Sequence, residues 1–433
     1  MMKQKLLSNY LLCAGLLASV TLPGCAAEPK RGAAAPRTNA DRPTDDGTFT
    51  LERAIGLAAA HNPEIRVLAA DIASARGEVT TATTWANPEV SVGHGFKRTS
   101  DSSSSMTELH GDFGLEQTIE WPGKRDLRRA VAQKNVAMRQ LALAGFRTQI
   151  AIQVRRVFFT LLASREAVLL REQRLSLAQT FVEAAKKKVE ADVAPEFEAI
   201  KAEVEVVSAR KALREAQAQQ AAARVALNSL MGRKPTEPLM VVGALRTGVA
   251  VPTRSALLES LERNPSVRIQ SAEVERTGLS VESIRKSQLP DFKVGPSLEF
   301  TPHEQTFSIG LSLPLPFWDK KQGEIATATA EQQKALAELV KLRREIIGEV
   351  SIASVNLTAA KDSLGFYTPE LRGKLKGALD AAGQTYSEGQ MPLLIYLETQ
   401  RAYFDTEADY FETLQKLFEA QAELESALGA PIN

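Results

Sequence analysis

Residues Gly114–Ala130 read GLEQTIEWPGKRDLRRA. Leu115, Gln117, Ile119 and Trp121 share one parity, and Glu116, Thr118 and Glu120 the other, which is the period of a half-buried strand. Pro122-Gly123 ends the alternation, and a basic run then opens a stretch without proline that reaches Ala194. A strand that stops at an aromatic residue and passes directly into so long a helix is the feature the fold must explain.

The same design occurs twice. HNPEIRVLAADIASARGEV (61–79) is matched by RNPSVRIQSAEVERTGLSV (263–281), and FGLEQTIEWPGKR (113–125) by IGLSLPLPFWDKK (309–321). LNSLMG ends the first half and LESALG the second. Pro195 and Pro392 stand 197 residues apart, as do Gly232 and Gly429. A period near 200 is too long for a solenoid and marks a duplicated half-protein. The expected repeats are 48–232 and 253–433, joined by a linker at 233–252. In each half the expected order is short helix, helix, strand, loop, strand, very long helix, tight turn, long helix.

Four strands are expected, at about 88–98, 108–121, 290–301 and 305–314. Val90, Val92 and Phe96 alternate with Ser91, Gly93 and Lys97; Phe307, Ile309, Leu311 and Leu313 alternate with Thr306, Ser308, Gly310 and Ser312. Hairpins lying on a helical domain would satisfy this pattern. So would transmembrane β-strands, which need about 9–11 residues. A membrane tolerates no open sheet edge, so four strands alone cannot span it. At least about eight are needed to close a barrel, so several chains must contribute.

The long helices, expected at 123–191, 196–231, 319–388 and 393–428, carry heptads. Val154, Leu161, Val168, Leu175, Val182 and Val189 are spaced by seven, as are Val350, Leu357, Leu364 and Leu371. From Gly123 to Ala191, at ~1.5 Å per residue, the first would reach on the order of 100 Å. That length suits a tube crossing an aqueous compartment. Pro369 is expected to kink the corresponding helix of the second half.

Composition narrows the classes. Lys+Arg 53 against Asp+Glu 52 gives a formal charge of +1, with no bias toward nucleic acid. Residues 1–24 read as a signal peptide, with MMKQK before an apolar core. Leu22-Pro23-Gly24-Cys25 resembles a bacterial lipobox, which makes Cys25 the acylated first residue of the mature chain. Cys13 is removed with the signal, so no internal disulfide is available. Residues 25–47 read as an extended tether.

With these features in place, the chain resembles the TolC family of outer-membrane efflux channels, and within it the outer-membrane lipoproteins of heavy-metal pumps of the resistance-nodulation-division type. The residues that carry the resemblance are Gln117–Arg125, Leu313–Lys321 and Tyr386–Arg401 (YSEGQMPLLIYLETQR), with the duplication and the final LESALG. It implies a mainly α fold with a β-barrel part. Three chains would give four strands each to a twelve-stranded outer-membrane barrel, above a periplasmic tunnel of α-helical hairpins. Trp121, Lys124 and Arg125, and again Trp318, Lys320 and Lys321, would lie at the membrane interface, with the lysines and arginine among headgroups. The tips Asp192, Ala194 and Pro195, and Glu388, Gly389, Gln390, Met391 and Pro392, would dock a periplasmic adaptor protein that links the homotrimer to an inner-membrane pump. Tyr386 and Glu398 are implied gate residues. The family carries a second carboxylate where this chain has Ile395, so any acidic ring would be single.

No catalytic motif, cofactor loop or metal-ligand spacing is present. His61, His94, His110 and His303 are scattered. The reading is therefore a passive duct, not an enzyme, with heavy-metal cations as cargo. Multidrug efflux or protein secretion by the same kind of channel is the alternative, since cargo selection in such pumps sits in the inner-membrane partner. A periplasmic adaptor would carry one hairpin, not two.

Overall fold

The computed structural model describes residues 48–101, 104–245, 248, 250–302 and 304–432. The signal peptide, Cys25, the tether and His303 lie outside them. The described residues form one unit from Thr48 onward.

Two short helices, α1 (Leu51–His61) and α2 (Pro63–Thr83), lead into strands β2 (Glu89–Asp101) and β3 (Ser104–Ile119). Helix α3 (Lys124–Glu190) follows without interruption for 67 residues, and α4 (Glu196–Leu230) returns beside it. The second half repeats the order with α5 (Arg254–Leu261), α6 (Pro265–Lys286), β5 (Phe292–Phe300) and β6 (Gln305–Ser312). Its long helix is not kinked but broken. Helix α7 (Gln322–Gly365) stops, and α8 (Pro369–Ser387) restarts after Phe366–Thr368. Pro369 supplies no amide donor and takes the first helical position, while Thr368 caps the new helix by accepting from Leu371 N at 3.2 Å. Helix α9 (Leu393–Leu428) completes the chain. A two-residue parallel pair, β1 (Thr48–Phe49) with β4 (Met240–Val241), ties the start of the unit to the linker.

The four long strands form one antiparallel sheet in the order β2-β3-β5-β6. Its register pairs Val90 with Leu115, Val92 with Phe113, and Leu298 with both Phe113 and Phe307. One face is thus largely apolar, with His94 and Gln117 among the polar residues on it, and it is bare: Phe96 is 77% exposed and Ile309 71%. The other face carries Glu89, Asp112, Glu116, Lys293, Ser297 and Glu299. Strands β2 and β6 leave an open edge on each side.

The core runs between helices in three clusters, two around the short helices and one near the tips. The heptad reading holds for Val154, Leu161 and Val168, which are buried. Beyond them the buried face moves to Arg174, Ala178, Phe181 and Ala185, and Leu175, Val182 and Val189 are half-buried. A straight helix drifts ~20° per heptad against a strict seven-residue repeat. In the second half Val350, Leu357 and Leu364 are buried, but the break resets the phase, and Leu371 is exposed.

Candidate functional site

Each hairpin turns in the same way. Helix α3 ends where Val193 N reaches Lys188 O (2.9 Å) and Asp192 N reaches Val189 O (3.0 Å). Helix α8 ends where Gln390 N reaches Thr385 O and Gly389 N reaches Tyr386 O, both at 3.0 Å. The pivot is left-handed in each, Asp192 at φ 55° and Gly389 at φ 76°. Pro195 and Pro392 then precede α4 and α9. Asp192, Pro195, Glu388, Gly389, Gln390 and Pro392 are exposed at these tips, and Ala194 and Met391 are half-buried.

Just inside the tips, the two hairpins of one chain are fastened together. Phe181 of α3 packs at 4.8 Å from both Tyr386 of α8 and Tyr396 of α9, whose rings lie 5.4 Å apart. Lys188 Nζ sits 3.7 Å from the Tyr386 ring centroid and donates to Tyr386 O at 3.1 Å. Burial pushes the Tyr396 phenol up to about 12, with Tyr386 a lesser cause. Burial, then the Glu198 carboxylate, also raises that of Tyr386. Farther from the tips, buried Glu205 of α4 accepts from Arg174 Nη2 of α3 at 2.6 Å and from Arg401 Nη2 of α9 at 3.1 Å. Arg174 also reaches Asp405 at 3.2 Å. Within the second hairpin, Arg372 of α8 makes a bidentate pair with Glu407 of α9, at 2.8 and 2.6 Å.

These contacts separate the two expected gate residues. Tyr386 is buried between the hairpins. Glu398 is exposed on α9, on a face that continues through Asp405, Asp409, Glu412, Glu419 and Glu423. Lys416 interrupts this acidic face and is paired to Glu412 at 2.8 Å.

The barrel-to-helix joint also departs from expectation. Lys124 is not a headgroup contact. It is buried, and its Nζ lies 2.7 Å from Asp291 Oδ1, which also accepts from Trp121 N at 2.9 Å. One carboxylate between the repeats thus holds both the end of the first hairpin and the start of α3. Gly123 makes the turn at φ 89°. Arg125 stacks on Trp85, 4.1 Å from its centroid. At the matching joint Lys321 adopts φ 60° with no glycine, its amide held by Asp319 Oδ1 at 2.8 Å. Trp318 is 88% exposed, and Leu313, Leu315, Phe317 and Lys320 beside it are exposed as well. On the polar face of the sheet, Lys293 bridges Glu116 (2.6 Å) and Glu89 (3.2 Å). Among the described residues no three His, Cys, Asp or Glu side chains converge to hold a metal ion.

Sequence reading missed Asp291, Trp85, Lys188, Phe181 and the Arg174–Glu205–Arg401 network. Asp291 was readable only as a residue beside a strand. Arg174 and Glu205 look like surface charges until the hairpins meet.

An open sheet with a bare, largely apolar face, set on helical hairpins whose longest helix runs about 100 Å, defines one copy's share of a membrane-inserted duct. The outer membrane efflux protein family matches residues 54–233 and 256–430, one segment in each repeat, and the chain belongs to that family. It is 29% identical to the cobalt-zinc-cadmium resistance protein CzcC of Cupriavidus metallidurans, over 83% of this chain and 84% of that one. It is 23% identical to the nickel-cobalt-cadmium resistance protein NccC of Alcaligenes xylosoxydans xylosoxydans, over 68% of this chain and 66% of that one. In fold it is similar to the solved structure of CusC, with a TM-score of 0.73 and 14% identity, over 88% of this chain and 92% of that one. The protein is an outer-membrane efflux channel with a periplasmic helical tunnel.

Proposed function

We propose that three copies close a twelve-stranded barrel and a helical tube, and that this passive duct exports divalent heavy-metal cations as the outer part of a tripartite pump. The observation that carries the assembly is the four-stranded sheet with a bare apolar face and two unpaired edges, β2 and β6. Neither water nor lipid can satisfy that combination in a lone chain. The cargo reading is supported by the metal-resistance names of the relatives and by the acidic face of α9, which suits cations that must pass without being held tightly.

In this reading Cys25 carries lipid and Ala26 permits outer-membrane retention. The tips around Asp192–Pro195 and Glu388–Pro392 dock a periplasmic adaptor, which joins the duct to an inner-membrane pump. Trp121, Trp318, Lys320 and Lys321 lie at the membrane interface. Glu398 faces the tube as a ring of three carboxylates, and Tyr386 shapes the gate by holding the hairpins together.

The test is deletion of the gene in cells that retain the adaptor and pump. Tolerance to one or more of cobalt, zinc, cadmium or nickel should fall and return with the intact gene. Sensitivity only to dyes, detergents or antibiotics would replace the metal assignment with drug efflux. Palmitate labelling that is lost in Cys25→Ser checks the anchor.

A further inference from the structure

Charge is distributed unevenly along the polar face of the sheet. At the end nearer the helices, Lys293 sits between the carboxylates of Glu116 and Glu89. Farther out, Asp112 of β3 and Glu299 of β5 are direct register partners. Like charges set opposite each other destabilise a strand pair. Among the described residues Asp112 has no ionic partner. Two positions along β3 on the same face stands His110, whose Nδ1 lies 3.4 Å from Glu299 Oε1. That nitrogen is shielded from water and makes no hydrogen bond. An imidazole from one repeat and a carboxylate from the other are therefore held close without a hydrogen bond between them.

Their spacing is that of two ligands on one ion. Zinc takes a histidine nitrogen at about 2.0–2.1 Å and a carboxylate oxygen at about 2.0–2.2 Å, in tetrahedral geometry. Two such ligand atoms stand about 3.4 Å apart. The neighbouring strand leaves room beside them. On β2, Gly95 is the register partner of His110, and Gly93 that of Asp112. Open space stands where Gly95 would carry a side chain. The Asp112 carboxylate lies across Gly93, in the place a Cβ there would take.

We propose that His110 and Glu299 form a weak site for a borderline divalent cation such as zinc, cobalt or nickel, with Asp112 as the flanking carboxylate. Imidazole with carboxylate suits these ions, whereas magnesium prefers oxygen ligands and keeps its waters. No third His, Cys, Asp or Glu converges on the pair among the described residues. Water completes the coordination, and the ion exchanges readily. Eleven residues separate His110 from Trp121. At ~3.4 Å per residue and a strand tilt of about 40°, that is about 25–30 Å along the barrel axis, the full height of an apolar band. The site thus stands near the outer mouth, where cargo cations leave. That position rests on the three-copy duct proposed above, but the ligands belong to a single chain.

The test uses the purified full chain and diethylpyrocarbonate, which modifies accessible imidazoles, with each modified histidine located by peptide mass spectrometry. Millimolar Zn²⁺ should slow modification of His110 by about fivefold or more, and that of His61 and His94 by less than about twofold. Mg²⁺ at the same concentration should protect none of them. Glu299→Gln, which keeps the shape of the side chain, should lose most of the protection, and Glu116→Gln should keep it. Equal protection of all histidines, equal protection by Mg²⁺, or full protection in Glu299→Gln would overturn the site. The comparison of Zn²⁺ with Mg²⁺ needs no variant, so it decides the proposal even if Glu299→Gln assembles poorly. Protection of His110 without trimers on gels would uphold the site and sink the three-copy reading. Trimers without protection would do the reverse.

Discussion

Lys188 and Tyr386 meet twice: the ammonium lies over the phenol ring, and it donates to the same residue's backbone oxygen. One lysine therefore grips the last turn of α8 from the last turn of α3, which sets the two tips level. The tyrosine beneath it has a buried hydroxyl with no hydrogen-bond partner. The ring is what this position uses.

Tyr386→Phe should accordingly keep or raise the stability of the tip region, by up to about 1 kcal/mol, because it removes an unsatisfied buried hydroxyl. Tyr386→Ala should cost about 3–5 kcal/mol, as expected for emptying a buried aromatic site. Limited proteolysis of the purified channel at the 191–195 and 388–392 turns checks both. Equal cleavage of the two variants would mean the hydroxyl matters after all.

The same cluster sets an alkaline limit. In the folded chain Tyr396 is pushed up to about 12, against about 10 when unfolded. The native tip favours the neutral phenol, so its stability is complete below about pH 10 and falls as pH rises toward the folded value. Circular dichroism melts followed between these limits should show the decline, and Tyr396→Phe should reduce it.

Glu205 neutralises two arginines from different helices while buried. Glu205→Ala should cost about 3–5 kcal/mol, since it leaves Arg174 buried without its main partner. Replacing Arg174 and Glu205 together with Met should cost less than that single change. Thermal unfolding of the three proteins gives the comparison, and a double variant worse than Glu205→Ala would contradict it.

Asp291 makes the corresponding bond at the other end of α3. Asp291→Ala strands the Lys124 ammonium in a buried site, at a cost of about 3 kcal/mol. Lys124→Met should be milder, because the half-exposed carboxylate left behind can be hydrated. The yield of heat-resistant trimers on gels is the readout.

The sheet makes a parity prediction. Phe307→Arg would place a cation on the lipid face and should cost about 2–4 kcal/mol at mid-membrane, whereas Ser308→Arg on the polar face should be tolerated. Outer-membrane assembly of the two variants decides it. Equal yields would reverse or abolish the assignment of faces.

The duplication, the four alternating strands, the long helices and the family were legible in the chain itself. Each rests on local periodicity or on a spacing that survives unaltered from sequence to structure. The 197-residue offset even predicts the matching turns at Asp192 and Gly389. Pro369 announced a disturbance but not a complete break, because a proline interrupts one hydrogen bond and its surroundings decide whether the helix resumes in phase.

What the sequence could not decide was the destination of individual charged and aromatic side chains. The family resemblance implied a headgroup role for Lys124 and a gate role for Tyr386, and nothing in the neighbouring sequence names the partner of either. The fold brings Asp291 to Lys124 across 167 residues and Lys188 to Tyr386 across 198. Burial and pairing of a charge depend on which distant segment arrives beside it, a property of the packed hairpins that no local pattern encodes.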